Sequence, residues 1–192
     1  MTSQAYALST VPNDTNRDDT LNYSRAIVKR LPAEKLLDAQ CQVLDVPAEF
    51  QGVKGVLRAG QLPGTQTPGR GTKLTEADRF LRTFGKPDRL LACDCERSNE
   101  TTLAQALALV SGEGLQQRLS DDNNRLAAWA KSDRASKEII TELYWTTLQR
   151  SPNDEELAAG AALMTGDASQ RFLALQDLAW ALLNAKEFVF RR

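Results

Sequence analysis

The sequence predicts an all-α fold: an irregular array of about six or seven helices interrupted by one long Gly/Pro-rich loop. Apolar residues recur at helical spacing in most segments after residue 32. Cap and turn residues separate these segments, and the connections in the second half are short, which favours helices packed against their sequence neighbours. No stretch sustains the alternation of a half-buried strand. The 192 residues are read as a single domain, with an irregular arm over 1–30 and the Gly/Pro-rich loop over 51–73.

The arm begins with turn formers, Pro12-Asn13-Asp14 and Asn16-Arg17-Asp18-Asp19, whose Asn and Asp side chains can bond their own backbone. Leu21 to Val28 reads as either a short helix or an extended arm. The first helix is expected from about Pro32 to Leu44. Proline suits a first turn, Leu36, Leu37, Cys41 and Leu44 share one face, and Pro47 follows the end. Cys41 on that face reads as a small buried hydrophobe. Residues 51–73 then carry six glycines and two prolines, too many for a regular element. Gly69-Arg70-Gly71-Thr72-Lys73 lacks P-loop spacing and has no strand before it, so a phosphate cradle is not supported.

Thr75 is expected to cap a helix that turns Phe80, Leu81 and Phe84 inward and stops at Gly85 and Pro87. A third helix starts near Thr101 or Thr102 and runs to Val110. Leu103, Ala106, Leu107 and Val110 follow its spacing, and Gly112 and Gly114 end it. Further helices are expected over about Asn124 to Ala130 and about Arg134 to Gln149, the latter with Ile139, Ile140, Leu143, Tyr144, Thr147 and Leu148 on one stripe. Asn153-x-x-Glu156 resembles a capping box opening a helix to about Met164. The last helix, about Ala168 to Ala185, buries Phe172, Leu175, Leu178, Ala179 and Leu182.

Composition excludes more than it identifies. Lys plus Arg number 24 against 25 for Asp plus Glu, a net charge of −1, so no global field draws nucleic acid or anionic lipid. Histidine is absent, which removes Ser-His-Asp and Cys-His catalysis and His-ligated zinc. A general acid or base would be a carboxylate, Lys, Tyr or Cys. No apolar run approaches the roughly 20 residues of a membrane span. Met1-Thr2-Ser3-Gln4 lacks the features of a signal peptide, so the chain as written is expected in the cytoplasm. No cofactor is implied. Phe188-Val189-Phe190 with Arg191-Arg192 reads as a terminus docked on the core, and Trp129, Trp145 and Trp180 as core or rim residues.

The densest chemistry is Cys93-Asp94-Cys95-Glu96-Arg97-Ser98. Cys93 and Cys95 could contribute two thiolates to a metal site, but two do not complete a tetrahedral set; Cys41, Asp94 and Glu96 could join them, though nothing in the spacing specifies that. A redox pair is the second option, although the usual spacing is Cys-x-x-Cys. The favoured reading packs both cysteines as small apolar groups. Asp94, Glu96 and Arg97 then form ion pairs that fix the loop, and Ser98 or Asn99 assists the next helix cap.

With these residues in view, the chain resembles the planctomycete-specific family known as domain of unknown function 1553. The stretches that carry the resemblance are Pro12-Asn13-Asp14-Thr15-Asn16, Arg30-Leu31-Pro32-Ala33-Glu34 with Leu36-Leu37-Asp38-Ala39, and Phe80 to Arg89. They continue with Cys93 to Ser98, Leu103 to Leu107, Glu142-Leu143-Tyr144, Ala179 to Asn184 and Lys186-Glu187-Phe188. Relatives of this kind are typically longer, exported proteins with a second domain upstream. The resemblance thus implies the C-terminal part of a larger envelope protein, with a protein partner or the missing upstream domain as its contact, and supplies no catalytic residues. The expected function is a non-catalytic interaction or scaffold module. The alternative is a component of an envelope redox or polysaccharide-processing system using the Cys93 to Arg97 loop.

Overall fold

The computed structural model describes residues 4, 8–19, 21–53, 55, 58–62, 73–85 and 102–191. Among them, nine α-helices and one two-stranded antiparallel pair follow one another in chain order. These are β1 (Lys29–Arg30), α1 (Ala33–Leu44), α2 (Glu76–Thr83), α3 (Leu103–Ser111), α4 (Glu113–Leu119) and α5 (Arg125–Ala130). They continue with α6 (Ser136–Leu148), α7 (Asp154–Leu163), α8 (Ala168–Leu183), α9 (Lys186–Val189) and β2 (Phe190–Arg191). The all-α expectation holds. Two of the nine helices are additions to it, α4 and the single turn α9.

Helix starts follow local chemistry. Thr75 caps α2 reciprocally with Asp78, and the same box recurs at Thr102 with Gln105, Asn153 with Glu156 and Asp167 with Gln170. Thr102 therefore caps α3. Pro32 precedes α1, and Asp45 ends it in the left-handed region at φ 59°, which Asp tolerates better than most residues. The Val46 amide then closes back on the Cys41 carbonyl at 3.1 Å, one residue before Pro47. Asn124 is fully buried. Its amide nitrogen donates to the Arg118 and Leu119 carbonyls, both at 2.8 Å, and its Oδ1 accepts from Ala127, so one side chain closes α4 and opens α5.

Helix α1 lies against α2, α4, α5 and α6, while α8 lies against α4, α5, α6, α7 and α9. Between these two hubs sits one contiguous core that includes Leu36, Leu37, Leu44, Leu126, Ile139, Ile140, Leu143, Leu175 and Leu183. Of the stripe expected on α6, Ile139, Ile140, Leu143, Tyr144 and Thr147 are buried and Leu148 is partly so, and Cys41 packs against the core with partial exposure. Burial pushes the Cys41 thiol above its ordinary value, with the Arg118 charge opposing it. Leu21 to Val28 forms no helix: it is an arm, with Leu21, Tyr23 and Val28 exposed. Its end, β1, pairs with β2 so that Lys29 faces Arg191 and Arg30 faces Phe190. Phe188 and Val189 dock on the core as expected, whereas Phe190 stays partly open. A 3-10 turn at Ala59–Gln61 is tied to α1 by Asp38, which accepts from the Ala59 and Gly60 amides at 2.6 and 3.0 Å.

Gly114 does not end a helix; it lies inside α4. A Cβ there would fall 1.7 Å from the Glu76 carboxyl carbon. The missing side chain lets Glu76 reach Arg118, whose Nη2 lies 2.5 Å from Glu76 Oε2. Arg118 is only 6% exposed, and its Nη1 is buried with no hydrogen-bond partner among the described residues.

Candidate functional site

Among the described residues, the feature that departs most from ordinary globular packing is α3. At 100° per residue, its exposed residues Ala106, Val110, Leu103, Leu107, Ser111 and Ala104 fill one continuous arc, with the leucines at the centre. Leu103 is 77% exposed, Leu107 54% and Val110 52%. The helical spacing read from the sequence is therefore real, but the apolar side faces outward.

What turns the helix this way is Gln105, 4% exposed and the only residue of α3 classed with the buried set. Its Oε1 accepts from the Arg30 guanidinium and, at 3.2 Å, from the Thr102 amide. Its Nε2 donates to the Thr83 carbonyl at 3.0 Å. Arg30 also donates to the Phe84 carbonyl at 3.2 Å and stands 5.1 Å over the Phe84 ring, which in turn stacks on Phe80. Burial lowers the Arg30 pKa from its ordinary value, yet the group stays a cation. One amide thus collects β1, the end of α2 and the start of α3. At the other end of α3, Trp180 of α8 donates its indole N–H to the Val110 carbonyl at 3.1 Å. Both ends of the outward face are fixed by directional bonds.

Two hollows lie elsewhere. The first, about 260 Å³, sits over the Glu76–Arg118 pair, with Thr75, Glu49 and Asp121 at its walls. The second, about 750 Å³, is an open groove floored by Val28, Leu148 and Phe190. Beside it, Arg150 binds Glu156 with both guanidinium arms at 2.8 Å and reaches Glu187 at 2.9 Å. That pairing pulls the Glu156 carboxyl down to about 2. Trp129 is buried, Trp180 is half-buried and Trp145 is exposed, in line with core and rim positions.

The residues singled out from the sequence, Cys93, Asp94, Cys95, Glu96, Arg97 and Ser98, lie outside the described residues, and so does Asn99. Among the described residues, no group of three or more His, Cys, Asp or Glu side chains is placed to hold a metal ion. No helix among them is long and apolar enough to cross a membrane. The α3 face escaped the sequence reading because periodicity marks an apolar side without saying which side is covered. The available signal was Gln105, which sits opposite that side and completes a Thr-x-x-Gln box.

Compared with known protein families, residues 1–164 match the model of a family described as protein of unknown function (DUF1553). The resembling stretches from Ala179 to Asn184 and Lys186 to Phe188 fall beyond the matched residues. No curated protein and no solved structure matches the chain. Because the matched span covers well over half of the sequence, this chain belongs to the DUF1553 family.

Proposed function

We propose that the chain is a non-catalytic helical interaction module whose contact face is the outward side of α3. One observation carries the reading: Leu103, Leu107 and Val110 share an exposed face, while the polar Gln105 is the residue turned into the core. Each large aliphatic side chain left in water forgoes roughly 1.5–3 kcal/mol that burial would supply. A partner's apolar surface recovers this, and contiguous exposed apolar patches commonly mark protein contact sites. Fixed ends support the same reading, since a face held by Gln105 and Trp180 needs little ordering on contact.

The test is site-specific photo-crosslinking in the cells that make the protein. A photoreactive residue replaces Leu107 in one variant and the exposed Glu155 in a control. Protein adducts concentrated at position 107 are expected. Equal labelling at both positions refutes the reading.

A further inference from the structure

We propose that the hollow over the Glu76–Arg118 pair binds a small zwitterion of the α-amino-acid class. Its carboxylate lies on Arg118 and the first turn of α2, and its ammonium is turned toward Glu49 and Asp121. This site is separate from the α3 face and goes beyond the interaction reading.

The guanidinium is the first observation. Arg118 lines the hollow and is 6% exposed. Glu76 holds its Nη2, while Nη1 has no hydrogen-bond partner among the described residues. A buried donor on a charged group is costly to leave unpaired, and native interiors rarely keep one without a use. An acceptor oxygen from a ligand satisfies it.

The second is the start of α2, where Thr75, Glu76 and Ala77 form one wall of the hollow. Thr75 Oγ1 accepts from the Asp78 amide at 3.1 Å, whereas the Glu76 and Ala77 amides have no acceptor within the helix. Such a start favours a carboxylate, through its amides and through the helix dipole.

The remaining charges fix the class. Arg118 and Glu76 cancel, which leaves Glu49 and Asp121 as the uncompensated charge of the walls. They repel a simple anion. Arg118 repels a metal ion, and no group of three or more His, Cys, Asp or Glu side chains among the described residues is placed to hold one. A ligand carrying both signs meets each wall with its opposite. Val46, Pro47 and Ala48 add an apolar side for a short aliphatic side chain. At about 260 Å³ the hollow falls just below the roughly 300–1,000 Å³ of pockets for drug-sized molecules, so its ligand is smaller. Nη1 is shielded from bulk water, so wall side chains turn as the ligand enters, a common adjustment on binding.

The experiment is a titration of the ¹⁵N-labelled full chain with L-valine up to about 20 mM, a range that reads millimolar dissociation constants. Saturable shifts of the Ala77 amide and the Arg118 Nε–H signals are expected. Isovalerate, which lacks the ammonium, and isobutylamine, which lacks the carboxylate, are each expected to bind about tenfold more weakly. Glu49→Gln combined with Asp121→Asn is expected to weaken L-valine about tenfold with unchanged circular dichroism. Arg118→Lys, which keeps the charge but not the second arm, is expected to do the same; should it fail to fold, the Glu49 and Asp121 variant still decides. No saturable shift with L-valine overturns the inference. So does isovalerate or isobutylamine binding as well as L-valine, or a Glu49 and Asp121 variant that binds like wild type.

Discussion

The orientation of α3 can be decided by exchanging the chemistry of its two sides. Gln105→Leu puts an apolar residue where the structure buries a polar one. It also removes three hydrogen bonds, from Arg30, from the Thr102 amide and to the Thr83 carbonyl. At about 1 kcal/mol for each neutral bond and about 2 for the one from the guanidinium, about 4 kcal/mol is lost. A buried leucine returns roughly 2 kcal/mol, so the variant is expected to be less stable by about 2 kcal/mol. Leu107→Glu places a charge in the apolar stripe, yet on an exposed helix surface it should change stability by no more than about 0.5 kcal/mol. Both are read by urea unfolding followed by far-ultraviolet circular dichroism, comparing midpoints at unchanged slope. If Leu107→Glu is the severe variant and Gln105→Leu is neutral or stabilising, α3 sits the other way round and the contact face does not exist.

Three further outcomes follow from the packing. Gly114→Ala forces the Glu76 carboxyl away from Arg118; with the propensity gain of alanine subtracted, unfolding should show a loss of about 1–3 kcal/mol, and Glu76→Gln in the same background should then cost little more. Gln40 is fully buried with neither amide atom partnered among the described residues; Gln40→Met should raise the urea midpoint by an amount worth about 1–2 kcal/mol, and a fall would mean that the amide finds partners in solution. Glu156 has its pKa depressed from 4.5 to about 2 by Arg150 and the Asn153 amide. Its contribution is therefore complete above the unfolded value and lost as pH falls from about 4.5 through about 2. Both partners are partly exposed, so Glu156→Gln should flatten the acid limb of the stability profile by less than about 1 kcal/mol; an unchanged acid limb would contradict the pairing.

The parts of the fold that the sequence made legible are the local ones. Asn153 and Glu156 lie three residues apart and meet each other in the folded chain, so their spacing is enough. The α6 stripe is legible because five of its residues turn to the same core. Gly114 misled for the opposite reason. A glycine reads as a stop signal, but its purpose here is room for Glu76, nearly forty positions earlier, and only tertiary structure reveals that. The α3 face belongs to the same class: which side the core accepts is settled by Arg30 and Thr83, neither of them local. The candidate loop, Cys93 to Ser98, was singled out from the sequence and lies outside the described residues. The described residues add only that Gln105 ties Thr83 and Thr102, on either side of it, to one another.

The pairing of Arg30 with Phe190 bears on the order of assembly. Neighbouring helices such as α6 and α7 can dock as soon as both have left the ribosome, because little chain separates them. The strand at Lys29 and Arg30 has no such option. It is made among the first residues, yet its mate is made among the last of this sequence, so that ladder closes late and across a long loop. In the folded chain the Arg30 side chain is also held by Gln105, so the arm has an attachment besides the ladder. A Gln105 variant is accordingly expected to open the arm to limited proteolysis sooner than the wild-type chain does.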